Sequence, residues 1–186
     1  LAHFGFDIRK KTILVTGGSL GARTLNIALR GATQLIENQI DSTQILWQCG
    51  KLYIDEYSQC DTAKLPNVKI VPFVDNMNYA YAMADVVISR AGALSISELC
   101  LVGKPAILLP SPNVAEDHQT QNALALVRKD AAILIRDTEA NDKMVQTALD
   151  LLGDATRCKV LAKNILTLGK PNAATEIAEV IFELLK

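Results

Sequence analysis

The segment best suited to chemistry is a nonapeptide that joins a glycine turn, a helix start and a carboxylate. It reads Arg-Ala-Gly-Ala-Leu-Ser-Ile-Ser-Glu, residues 90–98, and follows an apolar run at 85–89. A strand that ends at Gly92 and opens a helix near Ser95 directs backbone N–H groups and the positive helix end at one point, which suits phosphate. Glu98, one turn later, is placed to accept hydrogen bonds from sugar hydroxyls. The segment indicates a sugar-nucleotide site, although Ser95 and Glu98 also fit a capping box.

A second glycine turn, Thr-Gly-Gly-Ser-Leu-Gly at residues 16–21, follows the first predicted strand. Its glycines are spaced G-G-x-x-G, whereas a dinucleotide fingerprint has G-x-G-x-x-G and an acidic residue after the second strand. Here the end of the second predicted strand reads Gln48-Cys49-Gly50, without a carboxylate. The glycines either serve turn geometry alone or let a substrate approach the backbone at residues 17–19.

Two further segments follow predicted strands. Phe73 and Val74 either pack in the core or form an apolar slot for a base. In the second case, backbone groups around Val74 would read the edge of the base. The polar run 116–122 is either a solvated helix start capped by Asp117 or a hydrogen-bonding set for a sugar, led by Gln119. His118 lies in the same run, but a histidine on a polar loop is more often a hydrogen-bonding residue than a base.

Short apolar runs that alternate with helical patterns must position these residues. Strands are predicted at 12–16, 44–48, 68–72, 86–89, 105–109 and 132–135. Helices are predicted at 20–37, 77–84, 95–102 and 119–129, and a helical tail at 139–186 breaks near Gly153 and 169–171. Nearly continuous apolar strands in this alternation predict an α/β fold, a Rossmann-like doubly wound parallel sheet in one domain. Ligands of such sheets bind at the carboxyl ends of the strands.

Composition argues against several functional classes. The chain has 186 residues, 49% of them hydrophobic and 21% charged, with a formal net charge of −1. The absence of a dense basic cluster argues against a nucleic-acid partner. No apolar run approaches the roughly 18 residues of a bilayer span, and no signal peptide is evident. Four scattered cysteines without a CxxC pair predict reduced thiols rather than a zinc site.

Both glycine turns and the polar run, in this order, resemble the MurG family of bacterial glycosyltransferases, which make lipid II in peptidoglycan synthesis. The likeness is to the C-terminal, donor-binding half and runs from about Lys11 to Lys186. It rests on Gly-Gly-Ser-x-Gly-Ala-Arg at 17–23 and, most specifically, on Arg-x-Gly-Ala-Leu-Ser-x-x-Glu at 90–98. It implies that residues 1–186 form one half of a two-domain GT-B enzyme.

The resemblance implies UDP-N-acetylglucosamine as the donor. In that arrangement Phe73 and Val74 flank and read the uracil, and Glu98 holds the ribose hydroxyls. The helix start at 93–95 faces the diphosphate, Gln119 contacts the sugar, and Ser19 lies near the donor phosphates or the acceptor. Some members carry a glutamine pair where this chain has Gln-Thr-Gln at 119–121. The implied substrate-binding set is Gly18, Ser19, Phe73, Val74, Met77, Arg90, Ala93, Leu94, Ser95, Glu98, Gln119 and Thr120.

The implied reaction is inverting transfer of N-acetylglucosamine to lipid I, with neither a cofactor nor a metal ion. The acceptor site, the catalytic base and the membrane-associating surface belong to the N-terminal half, so no catalytic residue is assigned here. The implied location is the cytoplasm, peripherally on the inner face of the cell membrane. The chain begins at Leu1 rather than methionine, and we expect it to fold and bind donor without turnover. Rival interpretations are a non-hydrolysing UDP-N-acetylglucosamine 2-epimerase, an NAD-binding oxidoreductase domain and a non-catalytic nucleotide-binding module.

Overall fold

The sheet has the strand order of a doubly wound nucleotide-binding domain. The computed structural model describes residues 1–113 and 117–185, so Glu116 of the polar run and Lys186 lie outside the described residues. Within these ranges six parallel strands form one sheet in the order β3-β2-β1-β4-β5-β6. Strand order reverses between β1 and β4, and ligands of open α/β sheets bind at that switch point. The strands are β1 (Lys11–Thr16), β2 (Thr43–Gln48), β3 (Val68–Val71), β4 (Val86–Ser89), β5 (Ala106–Leu108) and β6 (Ile133–Leu134).

Helices cover the sheet and then form the predicted helical tail. They are α1 (Arg23–Gly31), α2 (Thr33–Glu37), α3 (Ile54–Tyr57), α4 (Met77–Met83), α5 (Ala93–Val102), α6 (His118–Val127), α7 (Ala140–Gly153), α8 (Ala155–Leu166) and α9 (Ala173–Leu184). The tail breaks after Gly153 and across 169–171, as predicted. In the described part of the chain, none of the helices has the length and apolarity needed to cross a bilayer.

The prediction of one continuous helix over 20–37 was wrong. Gly21 has φ 80°, so the turn extends to Ala22 and α1 begins only at Arg23. At Ala32 the backbone leaves helical geometry (φ −99°, ψ 19°) and its N–H bonds Leu29, three residues back, instead of continuing the i→i−4 ladder. The short helix α3 was not predicted, because four residues carry too little periodicity to be detected.

The core lies on both faces of the sheet, as near-continuous apolar strands require. Alternate residues of β1 face opposite sides: Ile13 and Val15 pack beneath α1 and α7, whereas Leu14 belongs to the cluster on the other face. Trp47 is fully buried, and its indole N–H donates to Asn26 Oδ1 at 2.8 Å. The Asn26 amide in turn donates to the Cys49 carbonyl at 2.9 Å. This buried pair fixes α1 against the carboxyl end of β2.

Candidate functional site

Two adjoining cavities open at the carboxyl edge of the sheet, around the switch point. The first, about 310 Å³, is lined by Thr16, Gly18, Ser19, Gln48, Phe73, Val74, Met77, Tyr81, Leu94, Ser95 and Glu98. The second, about 470 Å³, is lined by residues 17–24, Tyr53, Arg90, Gly92, Ser95, residues 111–113, Gln119 and Asp137. Gly18, Ser19 and Ser95 border both. The structure therefore brings the two glycine turns together, with a cavity on each side of their junction.

The first glycine turn is shaped by close backbone packing. A side chain at Gly21 would place its Cβ 2.0 Å from the Cys49 carbonyl oxygen, and φ at this residue is 80°. Gly18 also has positive φ, 81°, but a Cβ there would meet nothing within 4 Å. Turn geometry thus explains Gly21 completely. Gly18 instead combines left-handed backbone with an open approach to both cavities.

The second glycine turn leads into α5 with an uncapped helix start. Gly92 occupies the N-cap position and supplies no side-chain bond, and the first backbone N–H bonded into the ladder is that of Ile96, to the Gly92 carbonyl. The capping-box interpretation is therefore wrong, because Ser95 is the third helical residue rather than the cap. The N–H groups of residues 93–95 have no partner within the helix. A helix end of this kind suits an anion, and this one lies at the junction of the cavities.

Glu98 projects from the next turn of α5 and is held by a buried tyrosine. The Tyr81 hydroxyl donates to Glu98 Oε2 at 2.9 Å. Tyr81 is 5% exposed, and burial first, then the neighbouring Glu98 charge, raise the pKa of Tyr81 far above that of a free phenol. The phenol consequently stays protonated and fixes one carboxylate oxygen of Glu98. Sequence reasoning missed Tyr81, although its i+4 spacing from the predicted Met77 on α4 signals a shared face.

The residues of the predicted base slot, Phe73 and Val74, both line the first cavity. Val74 is 4% exposed and belongs to the core, whereas Phe73 is 38% exposed, with the Lys51 ammonium 5.8 Å from its ring centre. The Val74 N–H donates to Gln48 Oε1 at 2.9 Å. Val74 thus both packs in the core and lines the cavity. Any reading of a base by its backbone must use groups other than this N–H.

Arg90 braces the loops that surround the second cavity. Its Nη1 donates to the carbonyls of Leu109 and Pro110 at 3.0 and 3.2 Å and pairs with Asp137, both side chains of that pair being largely buried. Asp137 also accepts from the Thr24 hydroxyl at 2.9 Å. Asp137 was not predicted, although it follows β6 at the carboxyl edge where ligands of such sheets bind. The pair locks the exits of β4, β5 and β6 to the start of α1.

The start of α6 is tied to the second glycine turn. Gln119 Oε1 accepts from the backbone N–H groups of Ser111 at 2.9 Å and Ala91 at 3.3 Å, and Gln119 lines the second cavity. The amide of Asn122 donates to the Ala91 carbonyl at 3.1 Å. The structure separates Thr120 from this group, because Thr120 lines a different cavity and donates to Asp117 Oδ1 at 2.6 Å.

Other predictions for this region have mixed outcomes. Asp117 stands at the N-cap of α6, as predicted, but in left-handed conformation (φ 50°) and without a side-chain bond to the helix backbone. Leu94 lines the first cavity, and Ala93 contributes the first backbone N–H of α5. Among the described residues, no group of three or more His, Cys, Asp and Glu side chains is arranged to hold a metal ion. Metal-independent chemistry stays a prediction.

Comparison with known proteins places this chain in a family. The model of the glycosyltransferase family 28 C-terminal domain matches residues 12–179. The chain belongs to the glycosyltransferase family 28 C-terminal domain family. A Bacteroides fragilis relative, named "UDP-N-acetylglucosamine--N-acetylmuramyl-(pentapeptide) pyrophosphoryl-undecaprenol N-acetylglucosamine transferase", is 50% identical over 99% of this chain and 49% of its own length. A Cytophaga hutchinsonii protein of the same name is 48% identical over 98% of this chain and 48% of its own length. The chain thus spans about half the length of the curated relatives it matches.

Solved structures agree with the family. MurG of Acinetobacter baumannii superimposes with a TM-score of 0.82 at 28% identity, over 98% of this chain and 52% of that chain. The fold is that of the C-terminal half of a GT-B glycosyltransferase. A UDP complex of Staphylococcus aureus MnaA has a TM-score of 0.72 at 15% identity, over 95% of this chain and 47% of that one, a likeness that shows the fold alone.

Proposed function

We propose that this family 28 domain binds UDP-N-acetylglucosamine as the donor half of an inverting glycosyltransferase that makes lipid II from lipid I. The observation that carries the proposal is the uncapped start of α5 at the junction of two cavities. A nucleotide sugar has the same layout, with an anionic diphosphate between a nucleoside and a sugar. The names of relatives that are 48–50% identical to the chain supply the substrates.

The donor is proposed to lie across both cavities. The uridine occupies the first, with the base beside Phe73 and Val74, Met77 along the same wall, and the ribose hydroxyls on Glu98. The diphosphate faces the helix start at 93–95 and the turn at Gly18 and Ser19. The N-acetylglucosamine enters the second cavity, where the Gln119 amide nitrogen donates to it. Thr120 has no part in this arrangement, because it faces another cavity.

The proposed chemistry is displacement at the anomeric carbon with inversion. The C4 hydroxyl of the N-acetylmuramoyl unit of lipid I forms the new glycosidic bond, and the bond to the diphosphate oxygen breaks. The hydroxyl proton passes to a base, which we place in the other half of the enzyme, and UDP leaves with an added negative charge. The α5 N–H groups are fixed before the reaction, so they stabilise this charge without reorganisation, and one such donor is worth about 3 kcal/mol of barrier.

The rest of the proposed enzyme lies beyond this chain. We assign the acceptor site and the membrane-associating surface to an N-terminal half, and the working location to the cytoplasmic face of the membrane. Exposed apolar side chains on α9 support a covering domain: Ile177, Val180, Ile181 and Phe182 are each 52–67% exposed. Ile177, Val180 and Ile181 share one helix face by their i, i+3, i+4 spacing, and an exposed apolar patch marks an interaction site.

Titration calorimetry of this chain tests the proposal. We expect UDP-N-acetylglucosamine to bind more tightly than UDP-glucose, and NAD not to bind, because the buried Gln48 stands where an NAD domain carries its ribose-binding acid. Binding of NAD without binding of UDP sugars would refute the donor-half proposal. In the full-length enzyme, transfer to a lipid I analogue tests the acceptor assignment separately.

A further inference from the structure

Gln48 joins the two sides of the first cavity through a single buried amide. It is the last residue of β2 and is 4% exposed. Its Nε2 donates to the Gly18 carbonyl at 2.9 Å and to Thr16 Oγ1 at 3.2 Å, and its Oε1 accepts the Val74 N–H at 2.9 Å. All four residues line the first cavity. One side chain therefore bonds both the glycine turn after β1 and the base slot after β3.

Gln48 has a structural twin at the other end of the same strand. Gln44, 2% exposed, donates to Thr12 Oγ1 at 2.9 Å and to the Asp7 carbonyl at 2.9 Å, and accepts the Asp7 N–H at 3.0 Å. In the β1–β2 register Thr12 pairs with Gln44 and Thr16 pairs with Gln48. The two glutamines thus make the same bonds to a threonine and to the backbone of a loop. Only Gln48 makes them at the site.

We propose that Gln48 is a positioning residue that fixes the separation between the phosphate-facing turn and the base slot. The proposal rests on the donor-binding function proposed above. Gln48 acts through Gly18 and Val74 rather than on the donor, because its amide nitrogen and its amide oxygen both already make hydrogen bonds within the protein. An amide is required because the bonds to Gly18 and Thr16 need a donor, and the bond from Val74 needs an acceptor, on one planar group.

Replacement by methionine tests this, with the matched change in Gln44 as control. Gln48→Met leaves the Gly18 carbonyl and Val74 N–H without their partner, so both sides of the cavity must be ordered on binding. We expect about tenfold weaker UDP-N-acetylglucosamine binding by calorimetry, the scale of one lost hydrogen bond to a buried group. We expect Gln44→Met to lower the melting temperature as much as Gln48→Met does. It should nevertheless leave the affinity for UDP-N-acetylglucosamine within about twofold of the wild type.

Gln48→Glu separates positioning from folding through a pH profile. Burial raises the pKa of the introduced carboxyl. When protonated, it offers one O–H to Gly18 and one oxygen to Val74, as the amide does; when ionised, it has no donor and faces the Gly18 carbonyl. We expect affinity to fall as pH rises from 5 to 8 relative to the wild type in the same buffers. Glu98 and Tyr81, which line the cavity, and the neighbouring Cys49 are the same in both proteins, so the ratio cancels their contributions.

The outcomes separate this inference from the proposed function. Failure of the wild-type chain to bind UDP-N-acetylglucosamine removes the donor-half proposal and this inference with it. Wild-type binding that Gln48→Met leaves unchanged, or that Gln44→Met weakens equally, overturns the positioning role alone. If Gln48→Met does not fold, a Gln48→Glu affinity ratio that is flat between pH 5 and 8 overturns the role as well. A Gln48-specific loss with a pH-dependent recovery supports it.

Discussion

Glu98→Ala gives the most direct test of the site, because the structure shows how one oxygen of this carboxylate is held. Oε2 accepts from Tyr81, and the group is otherwise exposed at the first cavity. Its remaining acceptor sites would serve the ribose hydroxyls. A hydrogen bond to a charged group is worth about 1.5–3 kcal/mol. At 1.4 kcal/mol per factor of ten, UDP-N-acetylglucosamine binding should weaken by about 10- to 150-fold.

Two related variants divide this effect. Glu98→Gln keeps an oxygen for Tyr81 but loses the charge, so we expect a loss of about half the free energy. Tyr81→Phe keeps the charge but releases the carboxylate from its fixed orientation, and about 0.5–1.5 kcal/mol, a 2- to 13-fold loss, should follow. The double variant Glu98→Ala with Tyr81→Phe should bind no more weakly than Glu98→Ala, because the hydroxyl acts through the carboxylate.

Titration calorimetry with thermal melts is the assay, and Glu37→Ala is the matched control. Glu37 ends α2, is exposed and lines neither cavity, so its removal changes the net charge by the same amount without altering the site. Unchanged affinity in Glu98→Ala, or a loss equal to that of Glu37→Ala, would refute the assignment of Glu98 to the ribose. Additive losses in the double variant would refute the positioning role of Tyr81.

Four substitutions have further definite expected outcomes. Gly21→Ala should lower the free energy of unfolding in urea by more than about 2 kcal/mol, because its Cβ would meet the Cys49 carbonyl. Gly18→Ala has open space around its Cβ and should lower it by about 1 kcal/mol, from positive φ alone. Asp137→Asn weakens the pairing with Arg90 and should cost about 1–3 kcal/mol, measured in the same way. Burial raises the pKa of Tyr81, so the neutral phenol stabilises the fold fully below the unfolded pKa near 10, and this contribution is lost as pH rises through the folded pKa. As pH rises above 10, the urea midpoint of Tyr81→Phe should therefore fall less than that of the wild type. An equal fall of the two midpoints with pH would contradict this linkage.

The strands and most helices could be predicted because their signal is local. Continuous apolar runs predicted all six strands to within two residues at each end, and the glycine spacing of 90–98 located the start of α5 to within two residues. The continuous helix over 20–37 failed for an equally local reason. Its apolar periodicity continues through Ala32, but periodicity does not report that the backbone there turns out of helical geometry.

The network of bonds around the site could not be predicted, because its members are distant in sequence. Gln48 appeared only as a missing carboxylate, and its bond to Val74 spans 26 residues. The contact of Arg90 with Asp137 spans 47 residues, and that of Thr24 with Asp137 spans 113. Such contacts depend on which strands are neighbours, and the apolar runs fix the strands without fixing their order.

The sequence alone determined the chemical groups that this protein can present: two glycine turns, each after a strand, and a helix start with a carboxylate after the second turn. Their spacing is local, so steric and hydrogen-bonding preferences within a few residues fix it. Only the tertiary structure decided that the turns after β1 and β4 meet, since that follows from the order β3-β2-β1-β4-β5-β6. It also decided that Ser95 is not a cap and that Tyr81, Gln48 and Asp137 support the site. Buried polar groups must find partners, and those partners become known only when the chain is packed.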